Sequence, residues 1–294
     1  MDKLVIFGIF GLVAQLVDGA LGMAYGVTST TLLLSAGAAP AIASATVHLA
    51  EIGTTLASGT AHWRFGNVDW RTVGLMAVPG AIGAFAGAVL LSSLSAEVAE
   101  PWVAGILFFL GLFILARFTR RRQTPRPGSG HPLRAAFLAP LGAVAGTVDA
   151  MGGGGWGPIG TSSLLASGRL EPRKVVGSID TSEFLVTLAA SAGFLISLSF
   201  AEINAGWLLA LLGGGLIAAP IAAWLVRKLP ARVLGAAVGG LILVTNTRTF
   251  GDAIGAPSEY LVLAYVVLAV VWAASVVSAV FAARRDLRAT PQPA

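Results

Sequence analysis

Five carboxyl groups lie inside long apolar stretches of this chain that contain no Lys or Arg: Asp18, Glu51, Asp149, Asp180 and Glu183. An unpaired charge is costly in apolar surroundings, so acids at such positions indicate a role in function. A carboxyl group there can accept hydrogen bonds from backbone N–H groups, or it can bind and release a proton. The sequence therefore predicts two kinds of chemistry, which are backbone capping and proton transfer.

Glu51 belongs to a polar stripe in which Ser44, His48, Glu51 and Thr55 are spaced by four, three and four residues. This spacing places them on one face of a helix. The stripe recurs later in the chain, with these members: Asp180, Glu183 and Thr187. Two facing stripes predict a water-accessible path or a proton relay. The alternative is a set of hydrogen bonds, from Glu51 to His48 or a threonine, that only locks helices together.

Asp18 and Asp149 are the first residues of two glycine-rich segments, 18–26 and 149–157. We expect a helix to break there and a short helix to begin after each break, at 27 and at 158. A carboxylate before such a break can cap the freed backbone N–H groups. Direct contact of either acid with an anionic substrate is disfavoured, because like charges repel.

The short helices that follow the breaks are the best candidates for a binding site. Their first N–H groups carry the positive end of the helix dipole and can hold an anion without a formal cation. The alternative is that the hydroxyls bond to their own helix and the glycines only allow close packing, with Tyr25 and Trp156 as walls, gates or packing residues. The candidate binding residues are Tyr25, Gly26, Thr28, Thr30, Gly154, Gly155, Trp156, Gly157, Thr161, Ser162 and Ser163.

The composition indicates that a lipid bilayer surrounds these residues. Hydrophobic residues make up 56% of the 294 residues and charged residues 11%, against about 25% charged in a soluble domain. The basic residues form short clusters between apolar blocks, which is typical of cytoplasmic loops and argues against nucleic-acid binding. The absence of cysteine excludes disulfides and thiolate metal sites. The glycine run at 152–155 is not a phosphate-binding loop, because no Gly-Lys-Ser/Thr follows it. We predict no metal and no cofactor.

The chain is an internal duplication with an offset of 131 residues at the breaks and 132 further on. Each half is predicted to hold a first helix (4–21; 134–150), a break and a short helix (27–36; 158–167). Three spans follow in each half, at 41–63, 72–94 and 99–118, and at 173–200, 206–227 and 231–248. One extra helix, 258–283, ends the membrane part.

Two topologies compete for this duplication. If each broken helix pair crosses the membrane, the halves are parallel and Lys/Arg divide about equally between the two sides. If each pair is re-entrant, the halves are inverted and 17 of the 19 basic residues lie on one side, as the positive-inside rule expects. We therefore predict an all-α integral membrane protein of two inverted repeats in the inner membrane, with its N-terminus outside and its C-terminus cytoplasmic. The predicted units are a first repeat 1–118, a cytoplasmic linker 119–133, a second repeat 134–252, an extra helix 257–283 and a tail 284–294.

The paired segments Asp18–Gly26 and Asp149–Gly157 and the duplicated helices resemble the sulfite exporter TauE/SafE family over about residues 5–250. The resemblance implies transport of a small sulfur-containing anion, such as sulfite, a sulfonate or thiosulfate. It does not determine the anion or the direction.

These features predict a non-enzymatic secondary transporter, with lipids as surroundings and protons as candidate coupling ions. A dianion that leaves the cell gains about 4.6 kcal/mol from 100 mV, so export is favourable without coupling. An uptake symporter and an anion channel, for small sulfur anions or carboxylates, remain alternatives. An intramembrane hydrolase is disfavoured, because His48 with Ser44 or Glu51 is too small a set of residues for that chemistry.

Overall fold

A computed structural model of the protein describes residues 3–119, 133–199, 202–225 and 231–289. Within these ranges the chain is helical and contains no strand, which confirms the all-α prediction. A π-helical turn, Trp156–Thr161, directly precedes α7. The α-helices are α1 Lys3–Leu21, α2 Tyr25–Ser35, α3 Pro40–Arg64, α4 Trp70–Ser93, α5 Ala96–Thr119, α6 Ala135–Gly152, α7 Ser162–Ser167, α8 Pro172–Ser197, α9 Ala205–Leu225, α10 Ala231–Ala253 and α11 Ser258–Ala289.

Most helix ends lie within three residues of the predicted ones, and the end of the membrane part differs more. The helix after the second break begins at Trp156 rather than at 158, through the π-helical turn. Such turns are rare and are often found at functional sites. The last two helices continue past the predicted ends at 248 and 283, to Ala253 and Ala289. Most of the predicted linker 119–133 and the last five residues of the tail 284–294 lie outside the described residues.

Five of the described helical segments are long and apolar enough to cross a membrane: Trp70–Ser93, Ala96–Thr119, Ala135–Gly152, Arg173–Ser197 and Ser258–Arg285. Shorter apolar segments are present in α1 and α9. Helices α3 and α10 are comparable in length, with 25 and 23 residues, but carry more polar side chains. The protein therefore has the helices of a multi-pass membrane protein, and α3 is one of its more polar helices.

The helices of the two halves pack in matching pairs. Helix α1 packs against α9 and α4 packs against α6, while α3 packs against α8 and α5 against α10. Exchanging the two halves converts α1–α9 into α4–α6 and leaves α3–α8 and α5–α10 as they are. Glycines allow the closest approaches, since a Cβ on Gly146 would lie 2.1 Å from the carbonyl oxygen of Gly80, and one on Gly214 would lie 2.0 Å from that of Gly8. Small residues allow membrane helices to pack this closely.

One large apolar cluster joins the two halves around the breaks. It contains Met23 from the first break, Trp156 from the second and Phe194 from α8, all of which are almost fully buried. Because a side chain in such a core has little freedom to move, both breaks occupy defined positions at the centre of the protein.

Candidate functional site

The two glycine-rich breaks lie directly against each other. A Cβ on Gly26 would lie 2.3 Å from the carbonyl oxygen of Gly153 and 2.9 Å from the Cα of Gly154. A Cβ on Gly157 would lie 2.7 Å from the Cα of Met23. These distances are too short for any residue but glycine without a shift of the backbone. The predicted site residues of the two halves are thus brought together, although they are far apart in sequence.

Two threonines join the breaks through reciprocal hydrogen bonds. The hydroxyl of Thr30 donates to the carbonyl oxygen of Gly153 (3.1 Å), and that of Thr161 donates to the carbonyl oxygen of Gly22 (3.0 Å). Both glycines have a φ of 64°, which few other residues adopt. Each half therefore holds the turn of the other half, and neither threonine hydrogen is free to bind a substrate in this conformation.

The carboxylates of Asp18 and Asp149 cap the helices that follow the breaks. In each case one oxygen, Oδ1, accepts hydrogen bonds from the backbone N–H groups six and seven residues later. The donors are Ala24 (2.7 Å) and Tyr25 (3.3 Å) for Asp18, and Gly155 (2.6 Å) and Trp156 (2.9 Å) for Asp149. The predicted capping of freed N–H groups by these two acids is therefore present in the structure. The capped N–H groups lie before Gly26 and Gly157, whereas those expected to hold an anion follow these glycines.

His48 links the second break to the polar stripe of α3. Its Nδ1 lies 2.8 Å from the carbonyl oxygen of Ser44, which can only accept, so Nδ1 carries a hydrogen. Its Nε2 lies 3.2 Å from Oδ2 of Asp149, and both groups are almost fully buried. His48 and Asp149 thus face each other at the point where the second break meets the polar stripe of α3.

A small polar pocket lies between the two stripes. Two of its lining atoms, Oε1 of Gln15 and Oε2 of Glu51, are buried and have no hydrogen-bond partner. Within the described ranges no group of three or more acids and histidines is placed to hold a metal ion. The pocket is lined by Gln15, Asp18, Tyr25, Glu51, Thr54, Thr55, Asp180 and Glu183.

Asp180 connects this pocket with the end of α3. Its Oδ2 accepts a short hydrogen bond from the hydroxyl of Ser58. The same oxygen lies 3.6 Å from Nε2 of His62. Although His62 lies near the end of α3, its side chain is only 24% exposed and faces a buried acid.

Tyr25 and Trp156, which match each other in the repeat, are held by hydrogen bonds to neighbouring helices. The hydroxyl of Tyr25 donates to the carbonyl oxygen of Leu211 (3.1 Å) in α9. The indole N–H of Trp156 donates to the carbonyl oxygen of Ile179 (3.1 Å) and to the hydroxyl of Ser182 (3.2 Å) in α8. Both rings are buried, so in this conformation they form fixed walls beside the breaks.

The remaining hydroxyl candidates do not all face one space. The hydroxyls of Thr28, Ser29 and Ser162 are buried without a partner. Ser162 and Ser163 line a separate, largely apolar cavity of about 740 Å³ beside α5. Thr28 and Ser162 therefore remain donors without a hydrogen bond among the described residues. The space between the two halves is filled by the crossing of the breaks.

Sequence reasoning missed four residues of this region, namely Gln15, Thr54, Ser58 and His62. A signal for two of them was present, because the stripe of α3 continues beyond Thr55 with the same spacing, to Ser58 and His62. Gln15 lies three residues before Asp18 and thus shares its helix face. The burial of these residues could not be inferred, since it depends on which helices pack against α1 and α3.

Comparison with known proteins agrees with the pattern of the breaks. The profile of the family described as Sulfite exporter TauE/SafE matches residues 7–249, so the chain belongs to that family. The chain is 49% identical over 276 residues to "Probable membrane transporter protein YtnM" of Bacillus subtilis (strain 168). The aligned region covers 94% of this chain and 92% of the relative. No solved structure matches the chain.

Proposed function

We propose that this member of the sulfite exporter TauE/SafE family is a secondary transporter that exports sulfite or a related small sulfur-containing oxyanion by alternating access. The observation that carries the proposal is the crossing of the two breaks, each held by a threonine of the other half. Interrupted helices from two repeats that meet at the centre are typical of secondary transporters. A static membrane scaffold has no need of such a paired arrangement.

The packing of the helices supports two inverted halves that can rock against each other. The main contacts between the halves correspond when the halves are exchanged, since α4–α6 matches α1–α9 and α4–α8 matches α3–α9. The inverted arrangement also places 17 of the 19 Lys and Arg residues on the cytoplasmic side. In this proposal the α3–α8 contact lies near the axis that relates the halves, and the polar pocket lies beside it.

The substrate anion binds, in this proposal, at the N–H groups that follow Gly26 and Gly157, in the first turns of the short helices. The N–H groups of Tyr25 and Trp156 already donate to a carboxyl oxygen, so backbone donors at these helix ends suit an anion. Buried hydroxyls without a hydrogen-bond partner are supplied by Thr28, Ser29 and Ser162. These residues lie close to the helix ends in the sequence. Neutral donors favour release as well as binding, because a formal charge pair would hold the anion more tightly.

Glu51 and Glu183 are the proposed proton carriers. Both line the pocket that also contains Asp18 and Asp180. Four carboxyl groups around one small buried pocket cannot all be charged without cations, and no Lys or Arg lines this pocket. Protons therefore balance part of the charge, and their loss or gain accompanies movement of the anion.

The proposed direction is outward, because a dianion gains about 4.6 kcal/mol on leaving the cell at 100 mV. The buried acids of the pocket also fit one alternative, which is proton-coupled uptake, since uptake of an anion against the membrane potential requires co-transported cations. The two differ in the sign of their response to an imposed pH gradient. A channel differs from both, since it shows no accelerated exchange when the substrate is present on the opposite side.

Transport by purified protein in proteoliposomes tests this function. We expect saturable flux of labelled sulfite or thiosulfate that unlabelled anion on the far side accelerates, and much slower flux of small carboxylates. Liposomes without protein provide the background rate. Flux without counterflow acceleration would identify a channel, and the absence of flux for every sulfur anion would contradict the proposal.

The topology has a separate test. A reporter fused after Ala294, or inserted at 128–130, should be active in the cytoplasm, because the clusters of basic residues determine orientation. A reporter fused before Met1 should be active outside. A C-terminal reporter that works only in the periplasm would contradict the inverted arrangement.

A further inference from the structure

Polar side chains follow α3 from the central pocket to the C-terminal end of this helix. Ser58 donates to Oδ2 of Asp180, and Nε2 of His62 lies 3.6 Å from the same oxygen. Ser58 is half-buried and His62 is 24% exposed, whereas Glu51 is almost fully buried. The side chains thus connect a buried acid with the surface of the protein at one end of α3.

His62 is oriented for proton transfer along this row. The side-chain amide of Asn67, which can only donate through its nitrogen, lies 3.5 Å from Nδ1 of His62. The neutral imidazole then carries its hydrogen on Nε2, which faces Asp180. When Nδ1 takes up a proton from the solvent in place of its contact with the amide, Nε2 can release its own proton to the carboxylate. The imidazole is then neutral again, and the pair has gained one proton, which Asp180 carries.

The repeat has no such row at the opposite end. At the offset of 132 residues, Ser58 corresponds to Ala190 and His62 to Phe194. Both of these residues are fully buried, and the ring of Phe194 packs on the ring of His48 with 5.9 Å between centroids. In the second half, the positions equivalent to this row are therefore occupied by buried apolar side chains.

The groups that face this row are mostly acids. Helix α1 contributes Asp18, α8 contributes Asp180 and Glu183, α3 contributes Glu51 and α2 contributes Tyr25. The described part of α9 contains no charged residue. His48 of α3 is the buried basic group of this region, and it faces Asp149 of α6. The basic residues at this end of α3 are peripheral, since Arg64 is exposed and the ammonium of Lys174 donates to the carbonyl oxygen of Val68 (3.0 Å). A proton that enters through His62 therefore meets carboxyl groups in a pocket that no Lys or Arg lines.

We infer that His62, Ser58 and Asp180 form the proton entrance of the transporter from the end of α3 that is cytoplasmic in the proposed topology, while Phe194 closes the corresponding route on the other side. The inference rests on the proposed proton-coupled transport and adds the side from which the protons come. His62 passes the proton, Asp180 receives it, and Ser58 positions the receiving oxygen. Glu51 and Glu183 lie beyond Asp180 in the same pocket.

Thiol labelling tests the sidedness without any measurement of transport. The chain has no cysteine, so Ser58→Cys and Ala190→Cys can each be labelled in the native background. We expect a membrane-impermeant maleimide to modify Ser58→Cys from the cytoplasmic face, in inside-out vesicles, and to leave Ala190→Cys unmodified from either face. Labelling of position 58 only from the outside, equal labelling of both positions, or no labelling of position 58 in protein that is modified after denaturation would overturn the inference.

Proton movement provides the second test, with His62→Phe as the variant because phenylalanine stands at the equivalent position of the other half. We expect substrate-driven proton movement to fall at least about tenfold, while exchange of substrate for substrate at equal pH stays near the wild-type rate. Trp63→Phe, a change at the exposed neighbouring residue, should alter neither rate. Unchanged proton movement, or an equal loss of both activities, would overturn the inference. Failure of the transporter proposal itself would be seen differently, as absence of flux in the wild type.

Discussion

Gly154→Ala should reduce transport at least about tenfold, whereas Gly213→Ala should leave the rate near that of the wild type. A Cβ on Gly154 would lie 2.1 Å from the backbone nitrogen of Val27, in the break of the other half. A Cβ on Gly213 meets nothing within 4 Å. Overpacking of this kind costs about 1–3 kcal/mol, while a glycine replaced by alanine within a helix gains about 1 kcal/mol. The two variants carry the same chemical change and differ only in their surroundings.

Anion affinity, flux and thermal stability of purified, monodisperse variants check this expectation. Gly157→Ala should resemble Gly154→Ala, because its Cβ would lie 2.7 Å from the Cα of Met23. Thr30→Ala and Thr161→Ala should have smaller effects, since each removes one hydrogen bond worth about 0.5–1.5 kcal/mol. If Gly154→Ala binds and transports as the wild type does, the breaks do not need to pack closely and the substrate site lies elsewhere, with the polar stripes of α3 and α8 as the leading candidate.

Glu51→Gln should abolish the pH dependence of transport while substrate binding remains largely intact. Glutamine keeps the shape of the side chain and cannot release a proton. Oε2 of Glu51 is buried and has no partner in the protein, so its proton has no structural hydrogen bond to maintain. Glu183→Gln should have the same effect, because this acid lines the same pocket from α8.

Flux as a function of pH on both sides of the liposome membrane measures this effect. Glu171→Gln serves as the matched control, since Glu171 is 65% exposed and pairs with Arg173 at the surface. Surface ion pairs of this kind contribute about 0–1 kcal/mol to stability. Flux through the control variant should therefore depend on pH as it does in the wild type. Unchanged pH dependence in both Glu51→Gln and Glu183→Gln would leave these acids only a packing role, in keeping with the second interpretation of the stripes.

The positions of the helices and the polar stripes could be predicted from the sequence, because both depend on local spacing. Apolar stretches of membrane length without Lys or Arg indicate spans, and residues three and four apart share a helix face wherever the helix is placed. The continuation of the stripe to Ser58 and His62 follows the same rule. The duplication identified the two breaks as a pair, since the residues after Asp18 and Asp149 match one another.

Only the tertiary structure decided what these residues contact. The hydrogen bonds of Thr30 with Gly153 and of Thr161 with Gly22 join residues 123 and 139 positions apart. Spacing along one helix carries no information about such distant partners. It likewise could not show that His48 lies against Asp149.

The occupation of the helix ends was also decided by the tertiary structure. The sequence indicated that Asp18 and Asp149 could cap the breaks, and it indicated equally that the first N–H groups could be free for an anion. A flexible glycine turn permits both arrangements. The packing of each turn against the opposite break fixes its shape and brings the N–H groups of Tyr25 and Trp156 onto the two carboxylates. The local sequence thus supplied the donors and acceptors, and the contact between the halves selected which of them pair.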